Sequence, residues 1–367
     1  MITKCPGCGG ALEFSPQSGR MECGFCGNSY EPIQSNIEFE DRENMECNTY
    51  ECTSCGAQLL VNGVETSSFC AYCGQPTVVF SRVSKELKPD YIIPFGVTKE
   101  QAFEIVHQRF NKGTMVPKEI KNFQIDKMRG IYIPYFIYDI DYCDTQGLER
   151  PGSKNRAAKY FIRKAECEFR GIIHDASRML NDESAIRLEP YDLSGLRPFE
   201  PQYLSGFYAD RYDLNQQEMV ANGVKRAKEF FDIEIKKSVN ERDVRLLQSN
   251  PFYRIRQIHY ALLPAWFITF RYKDESYTIL VNGQTGKMVG TVPIDMGSMW
   301  KTFFLTWLVF TILLIPFVPF LGGQIGFMIA MGLVIKAVSD YRKIYKNMKA
   351  TKSQSTVKYV KERQDRT

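Results

Sequence analysis

Eight cysteines fall into two copies of one spacing, and that repeat limits the fold more than any other feature of the chain. Cys5, Cys8, Cys23 and Cys26 recur as Cys52, Cys55, Cys70 and Cys73, each 47 positions on, so both copies read C-x2-C-x14-C-x2-C. A glycine follows every pair, at Gly9, Gly27, Gly56 and Gly74. A tight turn that aims two thiolates at one ion asks the residue after the second cysteine for a left-handed backbone, which glycine adopts without penalty. Two such turns complete a tetrahedral four-sulfur site. A unit of about 22 residues buries too little apolar surface to fold alone, so metal supplies the folding energy, about 10–16 kcal/mol in peptide systems. Two structural Zn2+ ions are therefore expected, and four sulfur ligands leave neither ion an open catalytic position. Redox dithiols are the competing reading, but they call for one pair at a helix start after a strand. Iron–sulfur ligation is the other alternative.

The chain opens without a basic, apolar leader, which places the ribbons on the side of synthesis, in a reducing cytosol. Cys47, Cys143 and Cys167 lack a partner at ligand spacing and read as free thiols. Charge then limits what the ribbons bind. Residues 1–80 hold three basic side chains (Lys4, Arg20, Arg42) against ten acidic ones, net −7, and eight thiolates with two divalent ions bring the formal total to −11. Such a surface repels a phosphate backbone, so nucleic acid is disfavoured and a protein partner, basic in character, is the expected use. The acidic run from Glu38 to Glu51 reads as a solvated linker.

Between Lys301 and Lys336 lie 34 residues without a charge. That length exceeds the threshold for a membrane span, and Pro316, Pro319, Gly322 and Gly323 at its midpoint favour two short helices, near 302–318 and 323–341, over one long one. Residues 336–367 carry ten basic and three acidic side chains, net +7, which by the positive-inside rule keeps the tail cytoplasmic with the ribbons. A single span is the alternative. Tyr341, Arg342, Lys343, Tyr345, Lys346 and Lys349 extend the second helix as a basic, aromatic face suited to anionic headgroups.

The middle of the chain is dense in aromatic residues with mixed periodicity. Lys99 to Asn111 and Gln216 to Lys237 read as helices, the second with apolar positions at Val220, Val224, Ala227, Phe230 and Phe231. Strands at Ile131–Tyr142 and Ala261–Tyr272 align at an offset of 130 around Pro134 and Pro264, each after a helix, which reads as a duplicated helix-then-strands unit or as a chance match of aromatic strands. Tyr277–Val281 and Lys287–Val292 flank a turn at Asn282-Gly283. That turn is too short for a phosphate-binding loop and lacks the Ser or Thr after the lysine. The three histidines, His107, His174 and His259, sit in no catalytic motif; His174-Asp175 with Cys167 is the one conceivable thiol-hydrolase set, without a nucleophile signature.

The segments K-C-P-G-C-G-G-A-L-E-F (4–14), F-C-A-Y-C-G-Q-P-T (69–77), L-K-P-D-Y-I-I-P-F (87–95) and L-V-N-G-Q-T-G-K-M-V-G (280–290) together resemble the bacterial TFIIB-type zinc ribbon-containing membrane proteins, YdjG-like in type. The resemblance carries the eight ribbon cysteines over as metal ligands. It implies SPFH-domain (flotillin-like) or phage-shock-like envelope-stress proteins as partners.

The resulting expectation is an α+β chain: zinc ribbon 1 at 1–35, an acidic linker at 36–47, zinc ribbon 2 at 48–82, a mixed α/β middle domain at 83–297, a transmembrane helical hairpin at 298–341 and a basic cytoplasmic tail at 342–367. Its expected function is a non-enzymatic scaffold, multi-pass in the cell membrane, that recruits cytosolic proteins. The alternative is a membrane-tethered, nucleic-acid-binding regulator.

Overall fold

In the computed structural model, residues 5–10, 12–15, 20–30, 43–53, 56–61, 70, 72, 80–112, 116–121, 128–153, 156–180, 182–204, 207–272 and 275–290 are described, with 295, 297, 300, 301, 304, 305 and 308 singly. Strands β1 (Leu12–Ser15), β2 (Arg20–Cys23) and β3 (Ser29–Tyr30) form a small antiparallel sheet. The other strands among the described residues, β10 (Arg197–Pro198) and β14 (Met288–Gly290) included, join one eleven-stranded sheet.

The spine of that sheet is β8 (Met128–Arg150) paired antiparallel with β12 (Arg245–Tyr272), from Met128 opposite Ile268 to Glu149 opposite Arg245. Two parts of this spine differ in how their side chains are covered. From Ile131 to Tyr138 every residue of β8 is buried, as in a sheet packed on both faces. From Asp141 to Arg150 burial alternates residue by residue, so that one face is packed and the other is partly open.

Two segments of like order build the spine. The strand β7 (Tyr91–Ile92), helix α1 (Lys99–Lys112), β8 and β9 (Lys159–Asp175) make the first; β11 (Tyr208–Asp210), α4 (Gln216–Val239), β12 and β13 (Glu275–Asn282) make the second. Each short strand pairs parallel with the long strand of the other segment: β7 at Ala261 and Leu262, β11 at Ile131 and Tyr132. These are the positions related by the offset of 130. The sequence sets both helices clearly. Thr98 with Gln101, and Asn215 with Glu218, exchange side-chain and backbone hydrogen bonds as capping boxes. The buried stripe of α4 runs Met219, Gly223, Ala227, Phe231, Ile235 and Val239, and Gly223 lets the ring of Tyr138 approach where a Cβ would sit 2.6 Å from it.

The pleat assigns the layers. Tyr132, Phe136, Tyr138, Ile140 and Tyr142 point to the face covered by α4, and Met128, Trp266 and Ile268 pack with Ala102, Val106 and Phe110 of α1. Ile131, Ile133, Tyr135 and Ile137 point to the other face, where Cys52, Cys70 and Tyr72 are packed. Strands β4 (Asn44–Glu51), β5 (Gln58–Val61) and β6 (Phe80–Leu87) belong to the same large sheet, joined through β5 to β11.

Two expectations are corrected. The α+β class with two small tandem ribbons gives way to a mostly β architecture, in which the second ribbon's strands are part of the main sheet. The distal halves of β8 and β12 alternate charged and polar outward residues, such as Asp141, Thr145, Glu149, Arg245 and Arg254, which disguises strands of 23 and 28 residues as shorter ones. The transmembrane hairpin at 298–341 is also withdrawn. Among the described residues no helix is long and apolar enough to cross a membrane, and most of that segment, with the basic tail at 342–367, lies outside the described residues. A run without charge is not sufficient for a span, which needs about 20 residues in one helix, and the proline and glycine cluster divides this run. The multi-pass placement and the membrane as a partner fall with it, and the SPFH-domain or phage-shock-like partners that the resemblance implied are not shown.

Candidate metal centre

The cysteine pairs of the first ribbon lie on two turns, one before β1 and one between β2 and β3, and the small sheet brings them together. The Sγ atoms of Cys5, Cys8, Cys23 and Cys26 all lie within 4.8 Å of one another. Cys5 Sγ is 3.6 Å from Cys26 Sγ, and Cys8 Sγ is 3.5 Å from Cys23 Sγ. A tetrahedron with Zn–S bonds of about 2.3 Å places its sulfurs about 3.8 Å apart, so the four thiols fit one ion and are too far apart for disulfides.

The turns repeat one pattern of hydrogen bonds. Cys5 N–H donates to Gly10 O (2.7 Å) and Gly9 N–H to Cys5 O (2.8 Å). Cys23 with Asn28 and Gly27, and Cys52 with Ala57 and Gly56, do the same within 0.1–0.2 Å. Gly9, Gly27 and Gly56 have φ of 76°, 72° and 71°, the left-handed backbone that glycine tolerates. Three of the four expected metal turns therefore have the expected shape. Of the second site, Cys52 and Cys70 are buried in the large core, while Cys55 and Cys73 lie outside the described residues.

The first site's electrostatics suit a shared cation. Burial alone would push the Cys5 thiol up, but the Tyr30 hydroxyl, the Cys8 and Gly7 N–H groups and the Cys26 thiol outweigh it and bring Cys5 down to about 6. Cys23 is lowered by the N–H groups of Cys26 and Phe25. Cys8 is favoured as a thiolate by the Gly10 N–H, yet burial and the neighbouring sulfurs push it up to about 12. Four thiols so close cannot all ionise without a positive charge among them. Such a charge would be most exposed on the side of Cys8 and Cys26, which face solvent, while Cys5 and Cys23 are buried.

The remaining candidates are not brought together. His174 Nδ1 approaches the Asp175 carbonyl (2.7 Å), and Cys167 lies seven residues away along the same strand, about 23 Å at strand rise. Burial pushes the thiols of Cys47, Cys143 and Cys167 up, the opposite of an activated nucleophile. His107 and His259 sit half-buried on α1 and β12. The Asn282 turn has the metal-turn shape, closed by an i+4 to i bond: Asn282 N–H donates to Lys287 O, Gly286 N–H to Asn282 O, and the Asn282 carboxamide accepts from Gln284 and Thr285 N–H as Cys5 Sγ accepts from Gly7.

One pair of residues was missed from the sequence although both copies display it. The residue before the last cysteine is aromatic in each ribbon, Phe25 in C-G-F-C and Tyr72 in C-A-Y-C. Phe25 is 86% exposed and Tyr72 1%. The Tyr72 ring meets Phe267 edge-on at 5.0 Å, and its hydroxyl donates to the buried Asp210 carboxylate at 2.7 Å. Ser177 Oγ and Arg211 N–H donate to the same carboxylate.

Fold and site thus define a mostly β protein with a four-thiol centre on one face of its main sheet. Among curated proteins the chain is similar to an uncharacterized protein, YdjG, of Bacillus subtilis (strain 168), with 28% identity over 323 residues, 80% of this chain and 91% of that protein. No protein-family profile matches the chain, and no solved structure matches it.

Proposed function

We propose that this chain is a non-enzymatic zinc-ribbon adaptor that binds two structural Zn2+ ions, through Cys5, Cys8, Cys23 and Cys26 and through Cys52, Cys55, Cys70 and Cys73, and uses its first ribbon to recruit a protein partner. The observation that carries the reading is the contrast at one ribbon position. Tyr72 plugs into an aromatic and polar slot of its own chain, while Phe25, its counterpart, projects into solvent from an acidic ribbon. A large apolar side chain held at the tip of a rigid turn is a ready anchor for a partner's pocket, and its fixed backbone lowers the entropy cost of binding. The acidic surroundings favour a basic partner over nucleic acid.

Elemental analysis of purified protein is expected to give two zinc ions per chain. Co-purification with the full chain is expected to yield a protein that is lost with both Phe25→Ala and Cys23→Ser. Enrichment of nucleic acid with no ribbon-dependent protein would overturn the adaptor reading.

A further inference from the structure

The strand β9 is an edge. Among the described residues it pairs with β8 alone, from Arg150 opposite Lys159 to Tyr135 opposite Asp175. Its outer side therefore offers a row of backbone donors and acceptors to another strand. The regular stretch runs to Phe169, where a register shift opposite Tyr138 and Ile140 and a left-handed Gly171 (φ 69°) interrupt it.

Protein edges of this length are normally shielded, yet this one carries two of the most exposed large apolar side chains among the described residues, Ile162 at 77% and Tyr160 at 69%. Beside it on the helix-covered face, α4 leaves Phe230 and Ile233, one turn apart, exposed, with the Phe230 ring 6.3 Å from that of Phe169. Tyr160 and Ile162 stand on the opposite face of β9 from Phe161 and Phe169, so apolar surface flanks this edge on both faces.

The sequence of this edge is complementary to itself when reversed. Turned about Ala165 so that two copies run antiparallel, Lys164 of one stands opposite Glu166 of the other, and the pair occurs twice by symmetry. Phe161 then faces Phe169, Ile162 faces the stem of Glu168, and Ala165 faces Ala165. Lys164 and Glu166 are exposed, and neither has an ion-pair partner among the described residues. A charged edge that merely blocked pairing would set like charges opposite each other in this register.

We propose that two copies of this chain join edge to edge through β9, antiparallel about Ala165, with the exposed flank of α4 closing the second layer. The union is isologous, so one patch serves both subunits, and it continues the main sheet from one subunit into the next. None of the residues it pairs is a ribbon cysteine or Phe25, so the proposal does not rest on the adaptor reading.

Charge reversal tests the register as well as the association. Sedimentation of the full-length chain, in non-ionic detergent so that the uncharged 302–335 stretch does not associate by itself, is expected to give twice the 42.3 kDa chain mass. Lys164→Glu and Glu166→Lys each set like charges opposite one another twice, and each is expected to weaken self-association about tenfold. The double variant restores it, and an equimolar mixture of the two single variants forms a mixed dimer, because each supplies the charge the other lacks. Both side chains are exposed, so unchanged circular dichroism is expected throughout. A wild-type monomer, single variants that associate like wild type, or a double variant and a mixture that stay monomeric would each overturn the proposal.

Discussion

The two ribbons share a spacing and a turn geometry but stand in opposite relations to the rest of the molecule. Ribbon 2 contributes β4, β5 and β6 to the main sheet and buries Cys52, Cys70 and Tyr72 in the core of that sheet. Ribbon 1 keeps its own three-stranded sheet, and its described residues meet the outer halves of β8 and β12 where Thr145 Oγ1 donates to Pro6 O (2.9 Å), Asn250 Nδ2 to Cys5 O (3.3 Å), and Phe252 packs against Cys5, Cys23 and the Tyr30 ring, 5.3 Å away. The same metal turn is thus a staple where its outer residue finds a slot in the chain, and a projecting module where it does not. The Asn282 turn adds that this backbone shape needs no metal when a carboxamide takes the acceptor role of the first sulfur.

The largest test of that contrast removes one ligand from each ribbon. Cys70→Ser should cost the whole β domain at least about 3 kcal/mol, because a buried ligand and the core around it fail together. It should be read as a fall in the urea midpoint with one zinc ion lost. Cys23→Ser should also lose one zinc ion while leaving that midpoint unchanged. Equal effects of the two substitutions would show that the ribbons play the same structural part.

Next in size is Tyr72. Truncation to Ala opens a cavity beside Phe267 and should cost about 3–5 kcal/mol by denaturant titration. Tyr72→Phe removes only the donor to Asp210 and should cost about 1–3 kcal/mol. Phe25→Ala, at the equivalent position, should leave the midpoint where it is.

Much of this was legible in the sequence, for identifiable reasons. The cysteine spacing and the glycines specify the turns, since the left-handed backbone admits few alternatives; the capped, periodic segments at 99 and 216 specify α1 and α4. Two things were not legible. Residues such as Asp144 and Gln146 are buried in β8 only because a polar network with Asp232 and Ser249 receives them, and a network between distant segments leaves no local pattern. Likewise nothing within C-A-Y-C reveals that Asp210, 138 residues on, completes the slot for Tyr72. The 34 uncharged residues misled in the other direction, since composition shows what a segment tolerates and not the helix it forms.

Asp210 sharpens the comparison through pH. Burial pushes its carboxyl up from 3.8 to about 7, against the lowering effect of the hydrogen bonds from Ser177 and Tyr72. The folded state therefore holds this proton more tightly than the unfolded chain, and the group's contribution is fully present below about pH 4 and is lost as pH rises to about 7. Asp210→Asn should flatten the fall in stability across that window by no more than about 4 kcal/mol, measured as the difference between wild-type and variant denaturation at each pH. An unchanged slope would mean that the Tyr72 slot does not couple the second ribbon to pH.

The smallest effect expected is at the seat of ribbon 1. Among the described residues, two hydrogen bonds and the packing of Phe252 seat ribbon 1, weak enough for it to lift from the sheet without unfolding it, a local opening of low free energy. Cys143 reports that event, since it pairs with Phe252 on the same face and burial pushes its thiol up. When the ribbon lifts, solvent reaches the thiol and its reactive thiolate fraction grows. Thr145→Ala combined with Asn250→Ala removes about 1 kcal/mol per hydrogen bond, about 2 kcal/mol together, which should raise the alkylation rate of Cys143, followed by mass spectrometry, about thirtyfold. Zinc content and the urea midpoint should not move. If the midpoint falls with the labelling change, ribbon 1 is bound into the cooperative core as firmly as ribbon 2, and the division between a staple and a projecting module is wrong.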